Sequence, residues 1–388
     1  MFDQPFDRDE YLARVARVRE EMARLGLDGL LLTSGPNLTY LTGYPSPSRA
    51  GSRPFIFLLP QSGPPILIVH TGREREARGY SWVEEIRTYH ALSRAPLSEI
   101  IEALHDVGLL QGRVGAELGA EESLDVPVGD FLELRQRLPG VRFADAGPAL
   151  WPARMRKSAA EINCVREACT ATARAYALTF EQARVGITEA DVARLMTVAS
   201  LEAGGGSPWV IITSGAGNYD LASKLPSRRR LEPGDFVWMD SGCTAGGYWS
   251  DFGRAGVVGG PTAEQRDAQN RIHDITMLGV DAVRPGITTS EVARRCNEAL
   301  ARLDLPITSC VSDLAARVGH GLGLMPTELP HVAEDDETVL EPGMIVTVEP
   351  GVATPFGIFH IEENVLVTEQ GHEVLSHAPR ELATIALT

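Results

Sequence analysis

The sequence predicts an α+β protein in two parts, a smaller α/β domain over residues 1–150 followed by a larger domain over residues 151–388. Three observations predict it. The first part alternates segments of helical period with short apolar runs. The stretch AGPALWP, residues 146–152, then breaks that pattern with glycine and proline. Beyond it, helices and strands follow without clean βαβ alternation, and one frame, Leu-Glu-Pro-Gly leading into an apolar run and an acid, occurs twice.

Taken in order, Leu12, Val15, Val18, Met22 and Leu25 recur at helical spacing over residues 9–25, and Gly26 supplies a stop. The runs DGLLLTS (28–34), RPFIFLLP (53–60) and PPILIVH (64–70) read as strands of a half-buried sheet. LSEIIEALHDVGL reads as a helix, RVGAEL as a strand and VGDFLELRQRLPG as a helix. A long helix is expected from RMRKSAAEINCV onward, with Lys157 and Glu161 near its start, and further helices over about 263–284 and 288–303.

Composition narrows the function classes. With 44% hydrophobic and 23% charged residues, the chain reads as an ordinary globular protein. No segment approaches the roughly 18 uninterrupted apolar residues of a membrane span, and the N-terminus lacks the basic-then-apolar order of a secretory signal, so a cytoplasmic protein is expected. Five cysteines, none in CxxC spacing, read as free thiols. A net charge of −16 repels nucleic acid and anionic membrane.

The repeated frame carries the chemistry. LEPGDFVWMDSG (231–242) ends an apolar strand on Asp240, and LEPGMIVTVEPG (340–351) ends one on Glu349. Each is followed by a turn and a return strand bearing another acid, Asp251 eleven residues after Asp240 and Glu362 thirteen after Glu349. Two such hairpins packed about a pseudo-two-fold axis would bring four carboxylates together. Burying even one ionised carboxylate costs several kcal/mol, so cations must sit among them. His320, flanked by Gly319, Gly321 and Gly323 in VGHGLGL, offers an imidazole where backbone can approach closely. Two divalent cations would balance four carboxylates, which predicts a two-metal centre able to activate a shared water and polarise a scissile carbonyl. Mn²⁺ or Co²⁺ suits so oxygen-rich a shell, with Zn²⁺ or Fe²⁺ as alternatives.

At this point the residues resemble a known family, the creatinase/prolidase/methionine aminopeptidase group with the pita-bread fold. The matching stretches are the Asp240 and Asp251 hairpin, GHGLG at 319–323, TVEPG at 347–351 and IEENVLVT at 361–368. The resemblance implies a pita-bread catalytic domain with pseudo-two-fold halves after a creatinase-type first domain, and five metal ligands at Asp240, Asp251, His320, Glu349 and Glu362. It also implies a homodimer.

The accessory residues depart from the proline-specific pattern. Where those peptidases have His-Glu after the glycine motif, this chain reads MPTELP, with Thr327 in the histidine's place and Glu328 retained. His331, four residues on, is a substitute if the loop rearranges. Ala222 or Ser223 occupies the place of another histidine, His360 that of an arginine, and Ala353 that of a tyrosine. Glu328 and His360 are therefore the expected proton-handling groups, and Thr327, His331, Ser223 and Tyr219 the expected substrate contacts, with Asp220 and Lys224 in the same altered loop. The substrate is then a dipeptide or short peptide cleaved at its amide bond. The alternative is a small non-peptide C–N compound, as for creatinase or ectoine hydrolase, including a lyase reaction; a non-enzymatic binding module is the third reading.

Overall fold

The computed structural model describes residues 5–45, 53–221 and 224–388. The chain divides into two compact units, Met1–Arg154 and Met155–Thr388.

The first unit is built on a six-stranded mixed sheet with the order Glu85–Tyr89, Ile66–His70, Ile56–Pro60, Gly29–Leu32, Arg113–Ala116, Arg142–Asp145. Its central strands are buried along their length, which explains why they read as unbroken apolar runs rather than alternating ones. The helix Arg8–Leu25 begins on Asp7, whose side chain accepts from the Glu10 amide, and ends on Gly26 at φ 64°. Two strands, Glu85–Tyr89 and Arg142–Asp145, went unpredicted because neither carries an apolar run. The stretch read as a break is itself a helix, Gly147–Met155, with Pro152 inside it.

In the second unit the long helix starts later than expected. It runs Ala159–Gln182 behind a capping box formed by Ser158 and Glu161, so Lys157 precedes it. The later helices are Ala263–Ala282 and Thr289–Leu300. Both Leu-Glu-Pro-Gly frames fold into the same turn. Gly234 has φ 87° and Gly343 φ 88°, after a proline in each case, and the Asp235 and Met344 amides donate back to Glu232 and Glu341 carbonyls at 3.1 Å each. That is a type II turn, whose third position demands the positive φ glycine tolerates. The preceding Leu231 and Leu340 are both buried, so each turn is nailed to the core and fixes the register of its strand.

From the first turn, Phe236–Ala245 pairs antiparallel with Phe252–Val258 inside a five-stranded sheet, with Asp240 opposite Gly253. From the second, Ile345–Val348 pairs with Glu363–Thr368 in another five-stranded sheet. The second hairpin is less simple than the sequence suggests. Between Glu349 and Glu362 the chain leaves that sheet to form the pair Gly351–Thr354 and Gly357–His360, which joins Ser309–Cys310 in a three-stranded sheet. Both glutamates therefore stand where the chain changes sheets. Side chains of both halves, among them Phe236, Trp238, Val257, Val346, Val348, Phe359 and Ile361, share one core with Ile272, Ile275 and Val292 of the two later helices.

Candidate metal centre

A cavity of about 700 Å³ opens on the second unit, and Asp240, Asp251, His320, Glu349 and Glu362 all line it. The backbone explains how they meet. Asn364 accepts from the Asp251 amide at 3.0 Å and donates to the Asp251 carbonyl, tying the return strand of one hairpin to that of the other. Arg254 answers from the opposite side, donating to the Glu362 carbonyl and to the Glu363 carboxylate, each at 2.8 Å. Thr347 accepts from the His320 amide at 3.0 Å, and its hydroxyl stands 3.4 Å from Glu349 Oε1. Tyr176, on the long helix beneath, places its hydroxyl 3.0 Å from the Met239 carbonyl and 2.8 Å from that of Phe252, each beside an acid.

Two triads emerge. Ligand atoms of Asp251, His320 and Glu362 lie within 4.8 Å of one another, as do those of Glu349, His360 and Glu362. Glu362 belongs to both, and the Asp240 carboxylate adjoins those of Asp251 and Glu362. His320 Nδ1 stands 2.9 Å from the Gly321 carbonyl, which places the proton on Nδ1 and leaves Nε2 as a free lone pair. That Nε2 is 3.4 Å from Glu349 Oε1, 3.9 Å from Asp251 Oδ2 and 4.0 Å from Glu362 Oε1. Meanwhile Asp240 Oδ1, Asp251 Oδ1 and Glu362 Oε2 are buried without a hydrogen-bond partner. Unpartnered carboxylate oxygens around a bare imidazole lone pair are what a divalent-cation site requires, so these residues fit the metals the sequence implies.

The charges respond accordingly. Burial pushes the Asp251 carboxyl well up, and the nearby Asp240 and Glu349 push it further; Glu362 is raised by burial and by Asp251 and Asp240. Burial likewise raises Asp240, to about 6. Glu349 differs: burial opposes its charge, but His360, His320 and Arg317 hold it down at about 2. Burial keeps His320 below its ordinary value, hence unprotonated near neutrality. Cations must displace protons held by the raised carboxyls, so the metal's stabilising effect is largest above about pH 6 and shrinks as pH falls through it. We expect a smaller rise in melting temperature on adding Mn²⁺ at about pH 5 than at about pH 7.5, with affinity falling about tenfold or more per pH unit; an equal rise at both would contradict these shifts.

The first half of the resemblance is now decided by comparison. The model of the Metallopeptidase family M24 matches residues 163–369, and that of the Creatinase/Prolidase N-terminal domain matches residues 14–156. The chain belongs to metallopeptidase family M24. Among M24 relatives, a probable dipeptidase PepE from Mycobacterium tuberculosis is 30% identical over the full length of both chains. A Xaa-Pro dipeptidase from Pyrococcus horikoshii is 29% identical over 95% of this chain and 98% of its own. The crystal structure of dipeptidase PepE from Mycobacterium ulcerans superposes with a TM-score of 0.84 at 27% identity, covering 98% of this chain and all of the other. The fold is therefore the pita-bread fold behind a creatinase-type domain.

The remaining M24 site predictions fare unevenly. His360 and Thr327 do line the cavity. Glu328 does not: it opens the strand Glu328–His331 and is buried, 3.8 Å from Lys157, where it accepts from the Met325 amide. Tyr219 is a core residue, packed on Phe236, with its hydroxyl accepting from the Phe236 amide. His331 pairs across the strands with His320 and faces Arg317 rather than the cavity. Ser223 lies outside the described residues. Asp220 and Lys224 from the same loop line the cavity, though Lys224 is paired with the buried Glu189. Sequence reasoning missed Trp238 and Arg317, both in the lining. Trp238 had a signal, since it lies two residues before Asp240 on one strand and hence on the same face.

Proposed function

We propose that the chain hydrolyses the amide bond of a dipeptide or short peptide, using two divalent cations held by Asp240, Asp251, His320, Glu349 and Glu362. The observation that carries this reading is the set of partnerless carboxylate oxygens opening onto a cavity of about 700 Å³, roomy enough for a dipeptide. When bound, such cations acidify a water and polarise a carbonyl. The oxygen-rich ligand set with one imidazole favours Mn²⁺ or Co²⁺. The names of the M24 relatives, dipeptidase and Xaa-Pro dipeptidase, support the substrate class. A homodimer in the cytoplasm completes the reading.

The protein's own groups do the rest. Glu362, whose ligand atoms lie within 4.8 Å of those of Asp251 and His320 and also of Glu349, would help to hold both cations. His360 sits in a slot made by two glycines: a Cβ on Gly253 would stand 2.6 Å from its Nδ1, and one on Gly351 2.9 Å from its Cβ. The Trp238 indole N–H points at His360 Nδ1 from 3.3 Å, so the neutral ring keeps its proton on Nε2. Nε2 lies 3.5 Å from Glu349 Oε2 without a hydrogen bond, leaving that proton available to a negative oxygen in the cavity. His360 thus supplies a donor where Glu328 supplies none. Trp209, Ile211 and Leu314 offer the cavity an apolar wall for a substrate side chain.

A small non-peptide C–N compound is the second reading, favoured by Thr327, which gives the cavity a hydroxyl in place of an imidazole. A panel of Xaa-Pro and non-prolyl dipeptides, offered to protein reloaded with Mn²⁺ and to a metal-stripped control, separates the two. Metal-dependent release of amino acids is expected. Inertness toward the whole panel by protein that binds two metals would move the assignment to the non-peptide class.

A further inference from the structure

Two cations line the cavity with the five ligands, Lys224 and Arg317. Lys224 is already paired with Glu189. Arg317 has no carboxylate partner among the described residues. Its NH1 lies 3.3 Å from His331 Nδ1, which must accept because a guanidinium only donates, and its NH2 makes a long 3.5 Å contact to Thr327 Oγ1. Its Nε is buried with no partner at all. Asp220, the one acid in that lining besides the four proposed ligands, is exposed and makes no ion pair with it among the described residues. Two of the four residues first read as substrate contacts, Thr327 and His331, therefore hold in place a guanidinium that lines the cavity.

Charge balance makes that placement informative. Without metal, the guanidinium is attracted by the acid cluster, and it acts on Asp251 and Glu349 against the effect of their burial. Two divalent cations neutralise the four carboxylates, and Arg317 then leaves one positive charge uncompensated on the wall. A half-buried, already oriented guanidinium beside a neutralised centre matches a carboxylate, which it can grip with two parallel hydrogen bonds. Building on the amide-hydrolase reading, we infer that Arg317 determines specificity by binding a carboxylate of the substrate. That carboxylate is either the C-terminal one of a dipeptide or an acidic side chain on its first residue.

The test uses binding, so that it does not depend on turnover. Dipeptide analogues with the amide carbonyl reduced to CH₂ are titrated into Mn²⁺-loaded protein in two pairs, C-terminal carboxylate against carboxamide, and N-terminal Glu against Gln. The wild type should bind the charged member of one pair about tenfold or more tightly than its neutral partner, and the pair that discriminates identifies the source. Arg317→Met should abolish that preference while leaving the neutral analogue's affinity and the metal content unchanged. Arg317→Lys, which keeps the charge and loses the fork, should retain part of it. No preference in the wild type, no binding of any analogue, or an undiminished preference in both variants would overturn the inference. Turnover of the parent dipeptides reports on the hydrolase reading separately: a carboxylate preference without turnover would sink that reading and leave the Arg317 assignment standing.

Discussion

Glu349→Ala is expected to abolish turnover and to strip the centre of metal. The substitution removes the carboxylate that His320, His360 and Thr347 surround. Glu349 is also the one acid of the four held fully ionised, at about 2, and so the one that binds a cation without first releasing a proton. Asp240→Ala should act the same way from the opposite hairpin. Activity is expected to fall by roughly a hundredfold or more in each, since even residues that merely support metal ligands are worth about 10–100-fold. The fold should persist in Asp240→Ala in particular, because removing a carboxyl that burial and Glu349 raise relieves repulsion between buried acids. Metal content by mass spectrometry and turnover by amino-acid release check both halves of the prediction, and full activity in either variant would end the assignment.

Arg254→Met should produce the largest loss of stability. The guanidinium is 3% exposed and donates to the Gly253, Glu362 and Pro379 carbonyls as well as to Glu363, which is itself fully buried. Removing it leaves an uncompensated charge and orphaned carbonyls, a change that typically costs about 3–5 kcal/mol. The lower end is expected, because Arg380 keeps its 2.9 Å contact to Glu363. Since Arg254 spans the two hairpins, metal affinity should fall as well. Urea unfolding of metal-free protein measures the first effect. Arg254→Met combined with Glu363→Met should recover part of the loss, as no buried charge then remains unpaired and the Arg380 side chain it frees is partly exposed to water; a double variant less stable than the single would contradict this explanation.

Much of this architecture was legible because it is periodic or repeated. The Leu-Glu-Pro-Gly frames announce two identical turns, and the nine-residue step from Leu231 to Asp240 and from Leu340 to Glu349 announces equivalent strands. The failures have physical reasons. Thr327 lines the cavity and the adjacent Glu328 does not, an outcome set by the pairing of Glu328–His331 with His320–Gly321, which no local signal specifies. Tyr219 follows a glycine-rich turn, where neither period applies, and its ring found the core. Arg317 follows Ala316 at φ 56°, a turn residue without the glycine that usually marks such a position. The sheet change between Glu349 and Glu362 was invisible because both of its strands are apolar, buried and consistent with one continuous hairpin.

In the proposed centre, the two halves of the second unit clamp two cations between four carboxylates and one imidazole. Calorimetric titration of metal-stripped protein with Mn²⁺, repeated on Glu362→Gln, tests it most directly, because Glu362 is the residue common to both triads. Two ions per chain in the wild type, with binding weakened at both sites in the variant, is the predicted result; no stoichiometric binding by the wild type, or two undisturbed sites in the variant, would contradict it.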